Sequence, residues 1–288
     1  MRFLVLGASG MAGHTISIYL KERGHRAVGF SRRGVSFLDE QVVGDARDEE
    51  LLADVIAEGN FDVAVNCVGV LNQYAERDPE GAAYLNGELP HVLARLTDGG
   101  RTRVFHMSTD CVFAGNTGPY TEDSVSDGKT VYDRTKAAGE LRDSKNLTFR
   151  CSIVGPDTDP QGIGLLNWFM AQKGPVRGYS GAIWTGLTTL ELAKAMERAA
   201  SEDVHGLVNM VPPASISKLD LLRLFNESLR GGSVEIVPDG SLQLDKTLAR
   251  TNFDSSFRPA GYAEQVAEMT AWIRAHADLY PHYAIEEA

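Results

Sequence analysis

Short apolar runs and amphipathic segments alternate along the first half of the chain. The first run, residues 1–6 (MRFLVL), is typical of a buried parallel strand, and residues 14–21 have the spacing of an amphipathic helix. Further apolar runs lie at 26–30, 61–69 and 103–107. Strands that alternate with helices predict an α/β fold built on a Rossmann-type, doubly wound parallel sheet.

The second half has a weaker pattern, without an internal repeat or a low-complexity linker. Its periodicity predicts helices at 162–170, 189–196, 217–226 and 262–276, strands at 204–211 and 234–238, and a short extended stretch that begins at 176.

Three glycines follow the first predicted strand directly. Gly7, Gly10 and Gly13 form a G-x-x-G-x-x-G pattern, which differs from the usual dinucleotide fingerprint G-x-G-x-x-G. Glycines at this place permit a tight turn, close approach of backbone N–H groups to a pyrophosphate, and close packing of the next helix. The strand before and the helix after favour a dinucleotide site over a ligand-free turn, and we include Ser9 and Met11 of the same turn in it.

Two arginines stand where a dinucleotide site for NAD has an acidic residue. Ser31, Arg32 and Arg33 end the second predicted strand, and guanidinium groups there favour the 2′-phosphate of NADP; a solvated basic turn is the alternative. Asp45, followed by Ala46, comes after the third apolar stretch. Its carboxylate is suited either to the adenine amine or to capping the next helix.

The next two strands deliver small and hydroxyl side chains to the edge of the sheet where open α/β proteins bind ligands. The fourth strand ends in Cys67, Val68 and Gly69, which we expect beside the nicotinamide ribose. The fifth leads into Ser108 and Thr109.

A tyrosine and a lysine four residues apart follow further along. On a helix, Tyr132 and Lys136 share one face, so an ammonium at 136 can stabilise a phenolate at 132 and lower its pKa. A general acid works best when its pKa lies near ambient pH. Taken alone, this spacing is weak, because two such residues on an exposed helix face are usually just solvated; the glycine turn at the amino terminus gives it weight.

Composition and charge narrow the class of protein. The chain has 288 residues, of which 43% are hydrophobic, enough for a substantial core. A net charge of −11 argues against nucleic acid or an anionic membrane as partner. No apolar stretch approaches the roughly 20 residues of a membrane span, and the first residues lack a signal-peptide pattern, so we expect a cytoplasmic protein.

The cysteines and histidines show no metal-ligand spacing. We therefore expect no metal site, and we expect Cys67, Cys111 and Cys151 to be reduced thiols. The sequence does not determine the oligomeric state, and a homodimer is one possibility.

Four segments together resemble a known family. They are Gly7/Gly10/Gly13, Asn66-Cys67-Val68-Gly69, Ser108-Thr109-Asp110-x-Val112-Phe113-x-Gly115 and Tyr132-x-x-Thr135-Lys136-x-x-Gly139-Glu140. In this order they are similar to the extended short-chain dehydrogenase/reductases, and most similar to the dTDP-4-dehydrorhamnose reductases. The resemblance implies that Thr109 is the catalytic hydroxyl, that Tyr132 is the acid, and that Lys136 lowers its pKa and contacts the nicotinamide ribose. Cys111 and Ala114 depart from the family, which usually has Tyr and often has Asp there.

The resemblance also implies a smaller, interleaved substrate-binding lobe. We expect an NADP-binding Rossmann domain over residues 1–154, with returns near 183–204 and 246–265. Residues 155–288 are then mainly the substrate-binding lobe.

A nucleotide-sugar substrate carries a diphosphate that cations should meet. Arg177 and Lys246, in predicted loops beside strands, are the chosen candidates among several cations, although each also fits a solvated surface charge. Trp184 is suited to stack on a base or sugar, or to belong to the core. Asp110 and Val112 beside Thr109 complete the expected substrate-binding set.

The expected activity is NADPH-dependent reduction of a nucleotide-linked 4-keto-6-deoxyhexose. One alternative is a sugar-nucleotide epimerase of the same superfamily; those enzymes usually recycle NAD, which the Arg32-Arg33 pair disfavours. The other alternative is a non-catalytic NADP-binding regulatory subunit, against which the intact set of Thr109, Tyr132 and Lys136 weighs.

Overall fold

A computed structural model describes residues 1–285 of the chain. Over these residues the strands are β1 (Arg2–Leu6), β2 (Arg26–Ser31), β3 (Glu40–Val43), β4 (Val63–Asn66), β5 (Arg103–Ser108), β6 (Leu147–Arg150), β7 (Ser152–Val154), β8 (Val176–Trp184), β9 (Gly186–Thr188), β10 (Gly206–Asn209), β11 (Ile216–Ser217) and β12 (Ile236–Asp245). The α-helices are α1 (Met11–Glu22), α2 (Glu49–Gly59), α3 (Asn72–Arg77), α4 (Pro79–Ala82), α5 (Leu89–Leu96), α6 (Val131–Ala138), α7 (Leu165–Met170), α8 (Thr189–Ala200), α9 (Lys218–Arg230) and α10 (Tyr262–Ala275).

Seven parallel strands form the central sheet in the order β10-β6-β5-β4-β1-β2-β3. The chain builds outward from β1 through β2 to β3, then crosses to the other side of β1 and continues with β4. The order therefore reverses between β1 and β4, and doubly wound sheets bind ligands beyond the carboxyl ends of the strands at such a point. The Rossmann-type prediction is confirmed.

The apolar run of β1 is continuous because both faces of this strand are buried. Phe3 and Val5 pack in one core cluster with residues of α1 and α8, whereas Leu4 and Leu6 pack in another with residues of α2 and α5. Successive side chains of a strand point to opposite faces, so a sheet covered by helices on both sides needs apolar residues at every position.

The remaining strands form two small sheets. Strands β11, β8 and β12 make a three-stranded sheet, and β7 pairs in parallel with β9. After β8 the chain returns to the central sheet, because α8 packs beside α1 and β10 pairs with β6. The exact domain boundaries stay a prediction.

Several element bounds in this half differ from the sequence prediction. Helix α7 begins only at Leu165, after Gly164 in extended conformation, because Pro160, Gly162 and Gly164 disfavour a helix. Helix α9 extends to Arg230 and ends where Gly231 adopts a left-handed conformation with φ of 53°. The strand expected at 234–238 runs instead from Ile236 to Asp245, because it pairs with β8 along this length.

Candidate active site

The glycine turn after β1 is shaped by two contacts that leave no room for a side chain. Gly7 has a φ of 77°, and a Cβ on it would lie 3.0 Å from the Cys67 carbonyl carbon. A Cβ on Gly13 would lie 2.1 Å from the Gly7 carbonyl oxygen. Gly10 precedes α1 as its N-cap and makes no side-chain cap. The first N–H groups of α1 therefore remain free of a capping side chain, as a pyrophosphate site requires.

A groove of about 640 Å³ starts at this turn and runs over the carboxyl ends of β1, β2 and β4. The predicted cofactor residues that line it are Gly7, Ser9, Gly10, Ser31, Arg32, Asp45, Ala46, Cys67, Val68 and Gly69.

Arg32 and Arg33, which were predicted together, lie differently at the end of the groove that Asp45 lines. Arg32 lines the groove, whereas Arg33 does not, and its carbonyl oxygen accepts a 2.6 Å hydrogen bond from the Ser31 hydroxyl. Asp45 also lines the groove and is not the cap of α2, because the carboxylate that accepts the Leu51 N–H at 3.0 Å belongs to Asp48. Of its two suggested roles, Asp45 therefore keeps only the one in the groove.

Sequence reasoning missed three side chains of this end. Arg47, Tyr74 and Arg77 line the groove beside Arg32, and the Arg77 guanidinium lies 5.9 Å from the centroid of the Tyr74 ring. Arg47 pairs with Asp78 at 3.6 Å and is partly exposed. Arg47 could have been predicted, because it lies just after the third strand. Tyr74 and Arg77 could not, because α3 has only six residues and its pattern does not show which side chains face the groove.

A second cleft of 360 Å³ continues the groove past the glycine turn, since Gly10, Cys67, Val68 and Gly69 line both. It brings Thr109, Tyr132 and Lys136 together with Met11 of the turn. Thr109 follows β5 directly, and the other two residues lie on α6. A groove leads in this way from a basic end to a hydroxyl, a phenol and an amine.

A capping box fixes the start of α6, so that Tyr132 is the second residue of the helix. The Thr130 hydroxyl accepts the Asp133 N–H at 3.1 Å, and the Asp133 carboxylate accepts the Thr130 N–H at 3.1 Å. The helix presents Tyr132 and Lys136 to the same cleft.

Tyr132 is held as a neutral phenol. Burial raises its pKa well above the ordinary value, and the charge that Cys111 would carry as a thiolate acts in the same direction. A hydrogen bond with the Thr109 side chain opposes this shift. A phenol that keeps its proton can donate it to a developing alkoxide.

The sequence predicted a lowered pKa for Tyr132, whereas the net pKa is raised and the polar contacts of Lys136 lie on β5. Its Nζ donates to the Met107 carbonyl oxygen and lies 3.4 Å from Nε2 of His106. Burial of the amine lowers the pKa of Lys136 to about 8. The two groups line one cleft, but the hydrogen bonds of the lysine are directed to β5.

The predicted substrate-binding residues lie in different surroundings. Val112 is fully buried in a core cluster with Phe113 and Tyr120, and Trp184 is a core residue whose indole ring lies over Gly186. Arg177 has a side chain that is 80% exposed, pairs with Asp239 at 3.4 Å and lines neither cleft. The structure therefore does not bring Val112, Trp184 or Arg177 to the cleft, because packing and an ion pair hold them elsewhere.

Asp110 and Lys246 lie at the segment that contains and follows Thr109. Asp110 is buried and accepts the Thr109 hydroxyl at 3.2 Å. Burial raises its pKa, while the charges of Lys218 and Lys246 act against this shift. Lys218, whose Nζ lies 4.4 Å from the centroid of the Trp184 ring, was missed because nothing in the sequence links the first residue of α9 to the segment after β5.

Over residues 1–285, no helix has the length and apolar character needed to cross a bilayer, and no group of three or more His, Cys, Asp or Glu side chains is arranged to hold a metal ion. Cys67, Cys111 and Cys151 are free thiols, and burial raises the pKa of each to about 12.

Comparison with known families gives a match over the first half of the chain. Residues 1–154 match the family described as the RmlD substrate binding domain. The matched range contains the glycine turn, Thr109, Tyr132 and Lys136.

Two proteins of similar sequence and one of similar structure are relevant to the function. A dTDP-4-dehydrorhamnose reductase of Streptomyces griseus is 36% identical over 141 residues, which cover 48% of this chain and 43% of that protein. A probable low-salt glycan biosynthesis reductase of Haloferax volcanii is 33% identical over 273 residues, 87% of each chain. The structure of a Bacillus anthracis dTDP-4-dehydrorhamnose reductase in complex with NADP has a TM-score of 0.79 at 15% identity and covers 94% of this chain and 99% of that one.

Proposed function

Because the chain belongs to the RmlD substrate binding domain family, we propose that it is an NADPH-dependent ketoreductase of a nucleotide-linked 4-keto-6-deoxyhexose. The observation that carries the proposal is the continuous groove, which joins Arg32 at one end to Thr109, Tyr132 and Lys136 at the other. The names of the Streptomyces and Bacillus relatives support the substrate class.

NADPH would supply the hydride, and the residues of the groove fit such a cofactor. The glycine turn has no Cβ that would obstruct a pyrophosphate, and Arg32 and Arg47, which line the groove, would meet the 2′-phosphate. Tyr132 would donate the proton that the reduced carbonyl oxygen needs, and Thr109, which lines the same cleft, would hydrogen-bond that oxygen.

The substrate lobe is proposed to meet the diphosphate through cations. Lys246 and Lys218 lie near Asp110 and therefore near the catalytic end, whereas Arg177 is occupied by Asp239. The boundary at residue 154, a cytoplasmic location and a homodimer stay predictions of the sequence.

Product analysis with a keto-sugar panel tests this function. The purified protein is incubated with NADPH and nucleotide-linked keto-sugars, and both NADPH loss and sugar products are quantified. Reduction predicts one NADPH consumed for each alcohol formed. Sugar conversion without net NADPH loss would identify an epimerase, and NADPH binding without any conversion would identify a regulatory subunit.

A further inference from the structure

A chain of buried polar side chains lies behind the catalytic lysine. Asn66 and His106 are register partners on β4 and β5, and both are fully buried. The amide nitrogen of Asn66 lies 3.3 Å from Nδ1 of His106, and Nε2 of the same ring lies 3.4 Å from Nζ of Lys136. The proposed reaction uses Lys136, and it leaves Asn66 and His106 without a role.

The main chain fixes the orientation of the Asn66 amide. Its Oδ1 accepts the N–H of Val68 at 3.1 Å. A backbone N–H can only donate, so the oxygen faces Val68 and the NH₂ group faces His106. Nδ1 of His106 must then accept, and in a neutral imidazole the proton lies on Nε2.

The ring is neutral, and its Nε2–H therefore faces the lysine. Burial lowers the pKa of His106 well below the ordinary value, and the charges of Lys136 and His91 add to this effect. A neutral amine at Lys136 has a lone pair that accepts this N–H while it donates to the Met107 carbonyl oxygen. An ammonium has no lone pair, so an N–H of Lys136 would face the Nε2–H of His106 and the two donors would repel each other.

The other groups that act on Lys136 do not cancel this effect. Burial, the largest effect, favours the amine, whereas the Glu140 carboxylate and the charge that Cys67 would carry as a thiolate favour the ammonium. The Glu140 carboxylate is already engaged by Arg150 at 2.6 and 2.8 Å and by the Ser108 hydroxyl at 2.8 Å.

We propose that Asn66 and His106 are positioning residues that set the protonation state of Lys136. Asn66 selects the Nε2–H form of His106, and that N–H stabilises the amine form of the lysine. The catalytic use of this device rests on the proposed function, because a lysine that titrates near ambient pH can help to return a proton to Tyr132. The effect on Lys136 itself belongs to the ligand-free protein.

Titration of Lys136 by NMR tests the proposal without any substrate. The protein is labelled with ¹³C-lysine, and Lys136→Met assigns the signal. Asn66→Asp places an acceptor opposite Nδ1, which turns the ring to the Nδ1–H form and leaves Nε2 as an acceptor for the ammonium. We expect the titration midpoint of Lys136 to rise by about one pH unit or more. His106→Gln offers the ammonium an amide oxygen and should raise the midpoint as well.

Asn66→Asp also adds a charge, and the double variant separates the two effects. In the His106→Gln background there is no ring to reorient, so Asn66→Asp should add little to the midpoint. An equal rise in both backgrounds, or an unchanged midpoint in His106→Gln, would overturn the proposal. Should Asn66→Asp fail to fold, His106→Gln alone decides.

A kinetic readout keeps this proposal distinct from the proposed function. If the variants raise the titration midpoint of Lys136 and the alkaline limb of the kcat/KM profile moves with it, the results support both the role of Asn66 and His106 and the proposed function. If the midpoint rises in a protein that reduces no keto-sugar, Asn66 and His106 still control the protonation state of Lys136, but the proposed function is wrong.

Discussion

Two adjacent arginines differ in what they can reach, although the sequence treats them as a pair. Arg32 lines the groove next to Arg47, while Arg33 lies outside its lining. A guanidinium that meets a phosphate makes a charge-assisted contact, which stabilises a complex more than a neutral hydrogen bond does.

Replacement of each arginine separately tests this distinction. Arg32→Ala should weaken NADPH binding by about tenfold or more, because a hydrogen bond to a charged group contributes about 1.5–3 kcal/mol, and it should leave NADH binding almost unchanged. Arg33→Ala is the matched control and should retain most of the preference. Fluorescence titration with both cofactors measures the effect. The assignment is wrong if Arg33→Ala alone removes the preference.

Elements at the start of the chain depend on close backbone contacts. Helix α1 can approach β1 only because Gly13 has no side chain, and its position places the free N–H groups at the groove.

Gly13→Ala should be one of the most damaging substitutions in the molecule. The new Cβ would lie 2.1 Å from the Gly7 oxygen, so α1 must shift, and overpacking typically costs about 1–3 kcal/mol. Both the free energy of unfolding and the affinity for NADPH should fall. Gly174→Ala, whose Cβ meets no atom within 4 Å, is the control for urea denaturation. Equal stabilities of the two variants would contradict the close contact.

The segment after β5 is tied to the end of β10 by one buried carboxylate. Glu122 accepts hydrogen bonds from the N–H groups of Asn209 at 2.9 Å and Thr251 at 2.8 Å. Burial alone would raise the pKa of Glu122, but the hydrogen bonds from Thr251 and Asn209 outweigh it and lower the pKa below the ordinary value of 4.5.

The pH dependence of stability follows from that direction. Since the folded-state pKa is depressed, the stabilisation is fully present above about pH 4.5 and is lost as the pH falls through the lower folded-state value. Glu122→Gln should cost about 1–3 kcal/mol at neutral pH and less in acid. Urea denaturation at both pH values measures this, with the exposed Glu235→Gln as control. A cost that does not change with pH would refute the role of the charge.

The first half of the fold was predictable because its signals are local. Buried parallel strands give apolar runs, and the glycine turn is contiguous with the first of them. Strands β7 and β9 have only three residues each, too few for a pattern, and only the start of β12 was predicted because the rest of it is mostly exposed. At the site, Thr109, Tyr132 and Lys136 were predictable from motifs, whereas the contact of His106 with Lys136 and the effect of Lys218 on Asp110 arise only when the fold brings distant elements together.

At the scale of the whole molecule, the segment after Thr109 lies against a cation contributed by the second half of the chain. Lys246 follows β12 directly, and its Cγ would lie 2.6 Å from a Cβ on Gly115, in the segment that follows Thr109. A substrate that spans both halves would therefore meet Lys246 but not Arg177.

Paired alanine variants test this arrangement. Lys246→Ala should raise KM for a nucleotide-linked keto-sugar by about tenfold, the effect of losing a charged contact, and kcat can fall too if that contact orients the sugar. Arg177→Ala should have little effect on either constant. The free keto-sugar should be a poor substrate for all three proteins. Efficient reduction of the free sugar would instead favour a reductase of small carbonyl compounds.

The most direct test of the central claim is transfer of hydride from NADPH to a nucleotide-linked 4-keto-6-deoxyhexose by the original protein and by Tyr132→Phe. This substitution removes one hydroxyl, so NADPH affinity should persist while turnover falls by about two orders of magnitude or more. Tyr179→Phe, on β8 and 40% exposed, controls for loss of a tyrosine hydroxyl elsewhere. The account predicts an NADPH-dependent alcohol product that depends on Tyr132; normal turnover in Tyr132→Phe, or no hydride transfer by the original protein to any keto-sugar, would contradict it.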